Sequence, residues 1–429
     1  MTLNLLPSRR AAQARLHDFV PHAAGTYASR RNFDLGPPHS EQVSRLSPYL
    51  QRRMLLETEV VDAVLAQHTP AQAEKFLQEV LWRTYWKGWL EMHPGVWLAY
   101  TQALQPPPKP GLVRPLAQAM AGATGIACFD AWVQELRDTG YVHNHARMWF
   151  ASIWIFTLRL PWEQGAQFFL SHLLDGDPAS NTLGWRWVAG LQTRGKFYLA
   201  SSANIAQFTQ QRFAATPNLA THAALSPADE LAPSPVRLPA QLPTVPAAAP
   251  AGRLGLLVHG EDLCLEHSEV GAWPMTAVAT LGPQWIAGAT ALSALPRNFS
   301  EAAMLEAAAR LQAHFNVAST ALIPPAGQQQ AKPGVNHDPV PPPTLPLPTP
   351  AALVASVQAW MQTHQLQAVV LVLPHVGPWG DLLAALIQLP QVVTFRRRHD
   401  RLLYPGADRG FFHFRKQLPT YFAGRLSER

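Results

Sequence analysis

Between residues 139 and 187 the chain reads TGYVHNHARMWFASIWIFTLRLPWEQGAQFFLSHLLDGDPASNTLGWRW. Asn144, Arg147, Asp175, Asp177 and Asn181 are set into segments otherwise rich in Trp, Phe, Leu and Ile. A helix beginning near Tyr141 puts Asn144, Arg147 and Met148 on one face, at i, i+3 and i+4. A guanidinium buried on such a face without a partner is strongly unfavourable, so it requires an acid. Asp175 or Asp177 can supply one from the following turn. The same residues also fit a plain structural account: an Arg–Asp bridge between two helices, with Asp177 capping a helix whose first residue is Pro178.

Taken in order, TGYVHNHARM, a Trp-bearing helix and DGDPASNTLGWRW resemble the flavin-binding helical domain of the DNA photolyase/cryptochrome family. That family's pattern reads roughly TGWMHNRxRM, then DGDxAxNxGxWQW, and the likeness covers nearly every polar position. It implies an all-helical FAD-binding domain in which Arg147 and Asp175 form a buried bridge beside the isoalloxazine ring. Asp177 would lie at the polar edge of that ring and Asn181 would face flavin N5, where a neutral amide can donate or accept as the flavin changes protonation. Asn144 and Met148 would line the substrate cleft, and Trp187 would pair with Trp82 to bracket a dimer lesion. Trp185 and Trp162 match the inner and middle members of the family's photoreduction chain. His145 stands where the family usually has Arg; a partly charged substitute and a plain surface His both fit.

Upstream, residues 8–20 are rich in Ala, Arg and Leu and read as a short amphipathic helix. In the SRLSP segment at 44–48, hydroxyls and free N–H groups at a helix start suit a phosphate. Ser47 before Pro48 is equally an ordinary N-cap. VSRLSPYL resembles the family's TSRLSPYL, which holds the flavin pyrophosphate, with Val43 in place of Thr. The resemblance implies Tyr27, Ser44, Arg45, Leu46 and Ser47 as cofactor contacts. Residues 76–86 read as a helix with Glu79, Trp82, Arg83 and Trp86 on one mixed stripe, suited to a core or to a cleft. The stretch resembles the family's FLxELxWREFY, which implies that Glu79 faces the damaged base, Trp82 stacks on it and Arg83 lies near the flavin phosphates. A base turned out of the helix presents π-faces, and each aromatic stack contributes about 1–3 kcal/mol. Residues 106–115 (PPPKPGLVRP) read as a rigid loop. They lack the Trp that family members often carry there as the outermost electron donor.

A length of 429 residues, with 48% hydrophobic and 14% charged content, indicates a globular chain of two or three domains. The 40 prolines cluster, which marks linkers. A net charge of +6 points to an anionic partner. Cys128 and Cys264 stand alone and read as reduced cytosolic thiols with neither disulfide nor metal spacing. The N-terminus has no long apolar run and 149–158 is too short to span a bilayer, so a cytoplasmic protein without membrane contact is expected.

Residues 253–258, 276–281, 316–323, 367–373 and 391–395 read as short apolar strands. Helical patterns at 301–314, 351–364 and 381–389 lie among them, which implies a Rossmann-like parallel α/β sheet. LGLLVHGEDLCLEHS resembles a degraded form of the family's antenna-domain opening, LVWFRRDLRLHDN, with Asp262, Leu263 and Leu265 kept. GFFHFRKQLPTYF faintly resembles that domain's ending. The expected order is therefore a helical FAD-binding domain at 1–215, a Pro/Ala-rich linker at 216–251 and an antenna-like α/β domain at 252–429, with a disordered Pro-rich insert at 324–350. An unrelated α/β domain fits the strand pattern as well. The Arg and Asp-Asn of the opening motif are missing, so a second, antenna chromophore is not assigned. Arg396, Arg397, Arg398 and Arg401 read as a solvated basic face that could also reach DNA.

The resemblance implies a monomeric FAD-dependent, blue-light-driven photolyase that passes an electron to a cyclobutane pyrimidine dimer in UV-damaged DNA. Glu79, Asn144, Trp162 and Trp185 would carry the chemistry, and Glu79, Trp82, Met148 and Trp187 would bind substrate. A cryptochrome-like photoreceptor without repair activity is the alternative, and a flavin-binding relic the third reading.

Overall fold

The computed structural model describes residues 5–37, 42–223, 242–286, 291–324 and 348–428. Its first part is all helical: α1 (Arg9–Phe19), α2 (Gly25–Arg30), α3 (Ser47–Gln51), α4 (Glu57–Leu65), α5 (Glu74–Met92) and α6 (Pro94–Ala103). Then come α7 (Pro110–Ala121), α8 (Ala127–Thr139), α9 (Asn144–Ser152), α10 (Trp162–His172), α11 (Pro178–Val188) and α12 (Ser202–Phe208). Local chemistry sets several of the boundaries. Ser8 caps α1 by accepting from the Ala11 N–H, and Asp177 caps α11 by accepting from the Ser180 N–H at 2.7 Å, with Pro178 first in the helix.

Gly140 ends α8 in the left-handed region at φ 64°, and a side chain there would lie 2.6 Å from Leu174. Its carbonyl accepts from the Leu174 N–H at 2.8 Å, which ties the approach to α9 to the approach to α11. This turn delays α9 to Asn144, three residues later than the sequence pattern indicates. The expected loop at 106–115 is also corrected: α7 starts inside it. Pro110 occupies the first turn, where its missing N–H has no partner to lose, and Pro115 lies inside the helix on its exposed face.

The second part is a five-stranded parallel sheet: β1 (Leu254–Val258), β2 (Met275–Leu281), β3 (Ser319–Leu322), β4 (Ala368–Val372) and β5 (Val392–Phe395), in the order β3-β2-β1-β4-β5. β1 and β4 are buried along their whole length, as continuous apolar runs require when both faces are covered. Helices α13 (Ala294–Phe315), α14 (Pro350–His364) and α15 (Pro378–Leu383) flank the sheet, and α16 (Arg398–Leu403), α17 (Phe411–Phe414) and α18 (Leu418–Ser427) close the chain. Each strand falls where the sequence pattern puts it. Part of the expected linker, 224–241, and most of the expected Pro-rich insert, 325–347, lie outside the described residues. Among the described residues no helix is long and apolar enough to cross a membrane.

One apolar core joins α1–α5 to one sheet face and to the C-terminal helices, a second fills α6–α12, and a third lies under α14 and α15. The seam between the two parts also holds charge, and here the reading of 396–401 as a solvated face is wrong. Arg396 and Arg397 are buried, whereas Arg398 is exposed. Arg397 grips Asp262 through Nε and Nη2 at 2.6 and 2.7 Å. Arg53, 1% exposed, reaches Asp400 at 2.6 Å and Asp262 at 3.4 Å, and Arg396 meets Glu91 at 3.2 Å. Beside them the Tyr404 hydroxyl bonds to His375 Nε2 at 2.7 Å, and His375 Nδ1 lies 3.1 Å from Glu261. Acids from both parts of the chain compensate these arginines, which is the condition for burying them.

Candidate functional site

A cavity of about 430 Å³ opens among α5, α9, α11 and the 44–47 segment. That volume falls within the range of small-molecule and cofactor sites. The sheet does not line it; α5 separates the two, with one flank on the cavity and another against α16 and the 404–407 turn.

Part of the cavity lining is ionic. Arg147 donates to both Asp175 carboxylate oxygens, at 3.2 and 3.1 Å, and through Nε to the Val142 carbonyl at 2.8 Å. Burial alone would raise the Asp175 carboxyl, but Arg147 and Arg83 outweigh it and hold it below its usual range. Asp177 is paired twice, with Arg83 at 2.9 Å and with Lys87 at 3.6 Å. Burial opposes its charge, yet Lys87, Arg83 and the Ser180 N–H bring the carboxyl down to about 2. Both aspartates therefore remain fixed anions at neutral pH. Asn181 donates from Nδ2 to the Ala166 carbonyl at 2.8 Å, which orients the amide and leaves its other polar groups for a ligand. Ser44, Ser47 and Tyr27 also line the cavity.

The lining also carries Glu79, Trp82, Asn144, Met148 and Trp187. Glu79 pairs with Arg31. Trp82 lies flat against Phe411 of α17, with centroids 3.6 Å apart and planes 9° from parallel. Trp187 is 36% exposed, with the Tyr198 ring 5.7 Å away. Trp185 reaches the cavity from a nest of rings, with Phe169 at 5.2 Å and Trp154 at 6.1 Å.

Three candidates from the sequence fall outside the lining. Arg45 is held at φ 53°, donates to the Pro37 carbonyl at 2.9 Å and sits over the Tyr141 ring. Leu46 is buried in the core, and Trp162 packs against Tyr100, with centroids 5.7 Å apart. His145 does not line the cavity either. It stacks on Trp149 at 4.1 Å and bonds to Tyr198 Oη at 3.2 Å, and burial lowers its pKa. Sequence reasoning missed Lys87 and Arg31. Lys87 had a signal: four residues after Arg83 on one helix, two like charges repel unless they share an acid. Arg31 had none, because its partner lies 48 residues away.

Residues 76–214 match the family model for the FAD binding domain of DNA photolyase. The deoxyribodipyrimidine photo-lyase of Escherichia coli is 32% identical over 193 residues, covering 43% of this chain and 39% of that protein. That of Thermus thermophilus is 34% identical over 192 residues, covering 43% of each. The chain thus spans about two fifths of the length of the curated relatives it matches. Among solved structures, a bacterial class III photolyase from Agrobacterium tumefaciens is similar at 26% identity and a TM-score of 0.41, covering 47% of this chain and 43% of that one. A Synechocystis cryptochrome is similar at 26% identity and a TM-score of 0.42, covering 48% and 44%.

Proposed function

The chain belongs to the DNA photolyase/cryptochrome family through its FAD-binding domain, and on that premise we propose that it repairs cyclobutane pyrimidine dimers in DNA, driven by blue light. The observation that carries the proposal is the cavity lining, which combines the fixed charges of Arg83, Arg147, Asp175 and Asp177 with an acid, an amide, a thioether and the indoles of Trp82 and Trp187.

The residues present fit FAD. The apolar walls suit a flat ring, the Arg147–Asp175 bridge gives that ring a charged border, and Asn181 offers a neutral amide. Ser44 and Ser47 supply hydroxyl donors for a phosphate. When bound and reduced, FAD supplies the light-excitable one-electron donor that dimer cleavage requires. The chain's own groups do the rest. Glu79 accepts from a base N–H, Asn144 bonds a base edge on either its donor or its acceptor side, and Met148 fills the apolar gap between them. Trp82 and Trp187 supply π-faces for a pair of bases turned out of the duplex.

The test is to irradiate the reduced holoprotein with a dimer-containing oligonucleotide and follow dimer loss. Repair that depends on light and on Trp187 supports the reading, and intact flavin photochemistry without repair contradicts it. A cryptochrome-like photoreceptor is the second reading. One observation favours it: His145 is turned into packing with Trp149 and Tyr198, so no cation at that position reaches the cleft for a DNA phosphate.

A further inference from the structure

The wall of the cleft does not end at Trp82. Phe411 of α17 covers one face of that indole, and the segment bearing it is fastened to α5 at two more points. Phe414 is fully buried, with its ring 5.5 Å from Tyr85, and the Tyr85 hydroxyl donates to the Arg409 carbonyl at 2.9 Å. On this anchored turn Phe412 is 80% exposed, the most exposed large apolar side chain among the described residues. The Arg415 guanidinium lies 5.8 Å from its ring. Arg409 and Lys416 are exposed on the same segment. Two acids stand close by: Asp408 lies 3.5 Å from Arg409 and 3.7 Å from His413, and Glu74 lies 3.6 Å from Arg415 and 4.0 Å from Lys75. Four cations, Arg409, Arg415, Lys416 and Lys75, thus face two carboxylates.

A single exposed apolar residue needs no explanation. A rigidly presented aromatic ring among surplus cations, continuous with a cleft wall, has the composition of a surface for stacking and phosphate binding on nucleic acid. We infer that the 409–416 segment is a second DNA contact: Phe412 packs on a base or sugar of the strand beside the cleft, and Arg415 and Lys416 meet its phosphates. The inference rests on the DNA reading above. It gives the C-terminal segment a part in substrate binding as well as in clamping Trp82.

The test is anisotropy of a fluorescent duplex carrying one thymine dimer, titrated with the FAD-loaded full-length protein at several salt concentrations. Phe412→Ala should weaken binding ~5- to 10-fold, and Phe412→Trp should restore it. Arg415→Ala should lower the slope of log affinity against log salt by about one unit. Both positions are exposed, so folding is not at stake, and flavin content gives the check. If Phe412→Ala and Arg415→Ala bind with wild-type affinity and slope while Trp187→Ala binds weakly, the second contact is refuted and the DNA reading survives. If the wild type does not bind the damaged duplex, both are refuted together.

Discussion

Two clusters of buried charge lie on opposite flanks of α5, and they differ in what borders them. At the seam with the sheet, Arg53, Arg396 and Arg397 are matched against Glu91, Asp262 and Asp400, with hydrogen bonds at 2.6–2.7 Å closing the tightest pairs. At the cavity wall Arg147 and Arg83, with Lys87 buried behind them, are matched against Asp175 and Asp177 at 2.9–3.6 Å, and Arg147, Arg83 and both aspartates border about 430 Å³ of open space. Both arrangements meet the requirement that a buried charge be compensated. Only the second leaves side-chain groups facing a space that a ligand can fill. Charge chemistry therefore does not separate a binding site from a structural lock; the geometry of what remains exposed does.

The largest expected effect tests the lock. Asp262→Ala strands Arg397 and removes one partner of Arg53, so it should cost about 3–5 kcal/mol in denaturant unfolding. A loss under 1 kcal/mol would mean that the seam's charges are not coupled to folding. Next, Asp175→Ala strands a less deeply buried Arg147 and should cost about 2–3 kcal/mol of flavin affinity. The checking measurement is FAD content after gel filtration, and a mutant that keeps full flavin would show that the bridge does not border the cofactor.

The third test is pH. In the native state burial raises the Asp177 carboxyl, but Lys87, Arg83 and the Ser180 N–H bring it down to about 2, against 3.8 for a free, solvated aspartate. Its folded pKa is depressed, so its charge stabilises the native state fully above about pH 4, and the contribution is lost as pH falls toward about 2. The shift corresponds to about 2 kcal/mol. Urea midpoints at pH 5 and pH 2.5 should therefore differ less in Asp177→Asn than in the wild type; equal differences would mean that Lys87 and Arg83 do not act on this carboxylate. The smallest effect is that of Trp187→Ala, about 1–2 kcal/mol in affinity for a dimer-containing oligonucleotide with an unchanged flavin spectrum.

The asymmetry between the clusters also explains which of them could be read from the sequence. Asn144, Arg147 and Met148 share a helix face by spacing alone, and Asp175 follows Arg147 by 28 positions within one continuous stretch, so this part of the cavity is legible there, whereas the Arg83–Asp177 pair spans 94 positions. The five strands were equally legible, because β1 and β4 are continuous apolar runs. Arg396 and Arg397 were misread because their acids come from residues 91 and 262, and a run of arginines looks solvated until such partners converge. The partners of Glu79 and Trp82, Arg31 and Phe411, were hidden for the same reason. The flat contact between Trp82 and Phe411 joins positions 329 apart by their numbers in the chain, a separation that no local pattern encodes.

The most direct measurement is a titration of FAD into the apoprotein, followed by flavin fluorescence and by the absorption spectrum of the complex. A cavity bordered by the Arg147–Asp175 bridge and the Ser44–Ser47 turn predicts one FAD per chain, quenched emission and a protein that stays yellow through gel filtration. A polypeptide that remains colourless with excess FAD, while folded by circular dichroism, would contradict it.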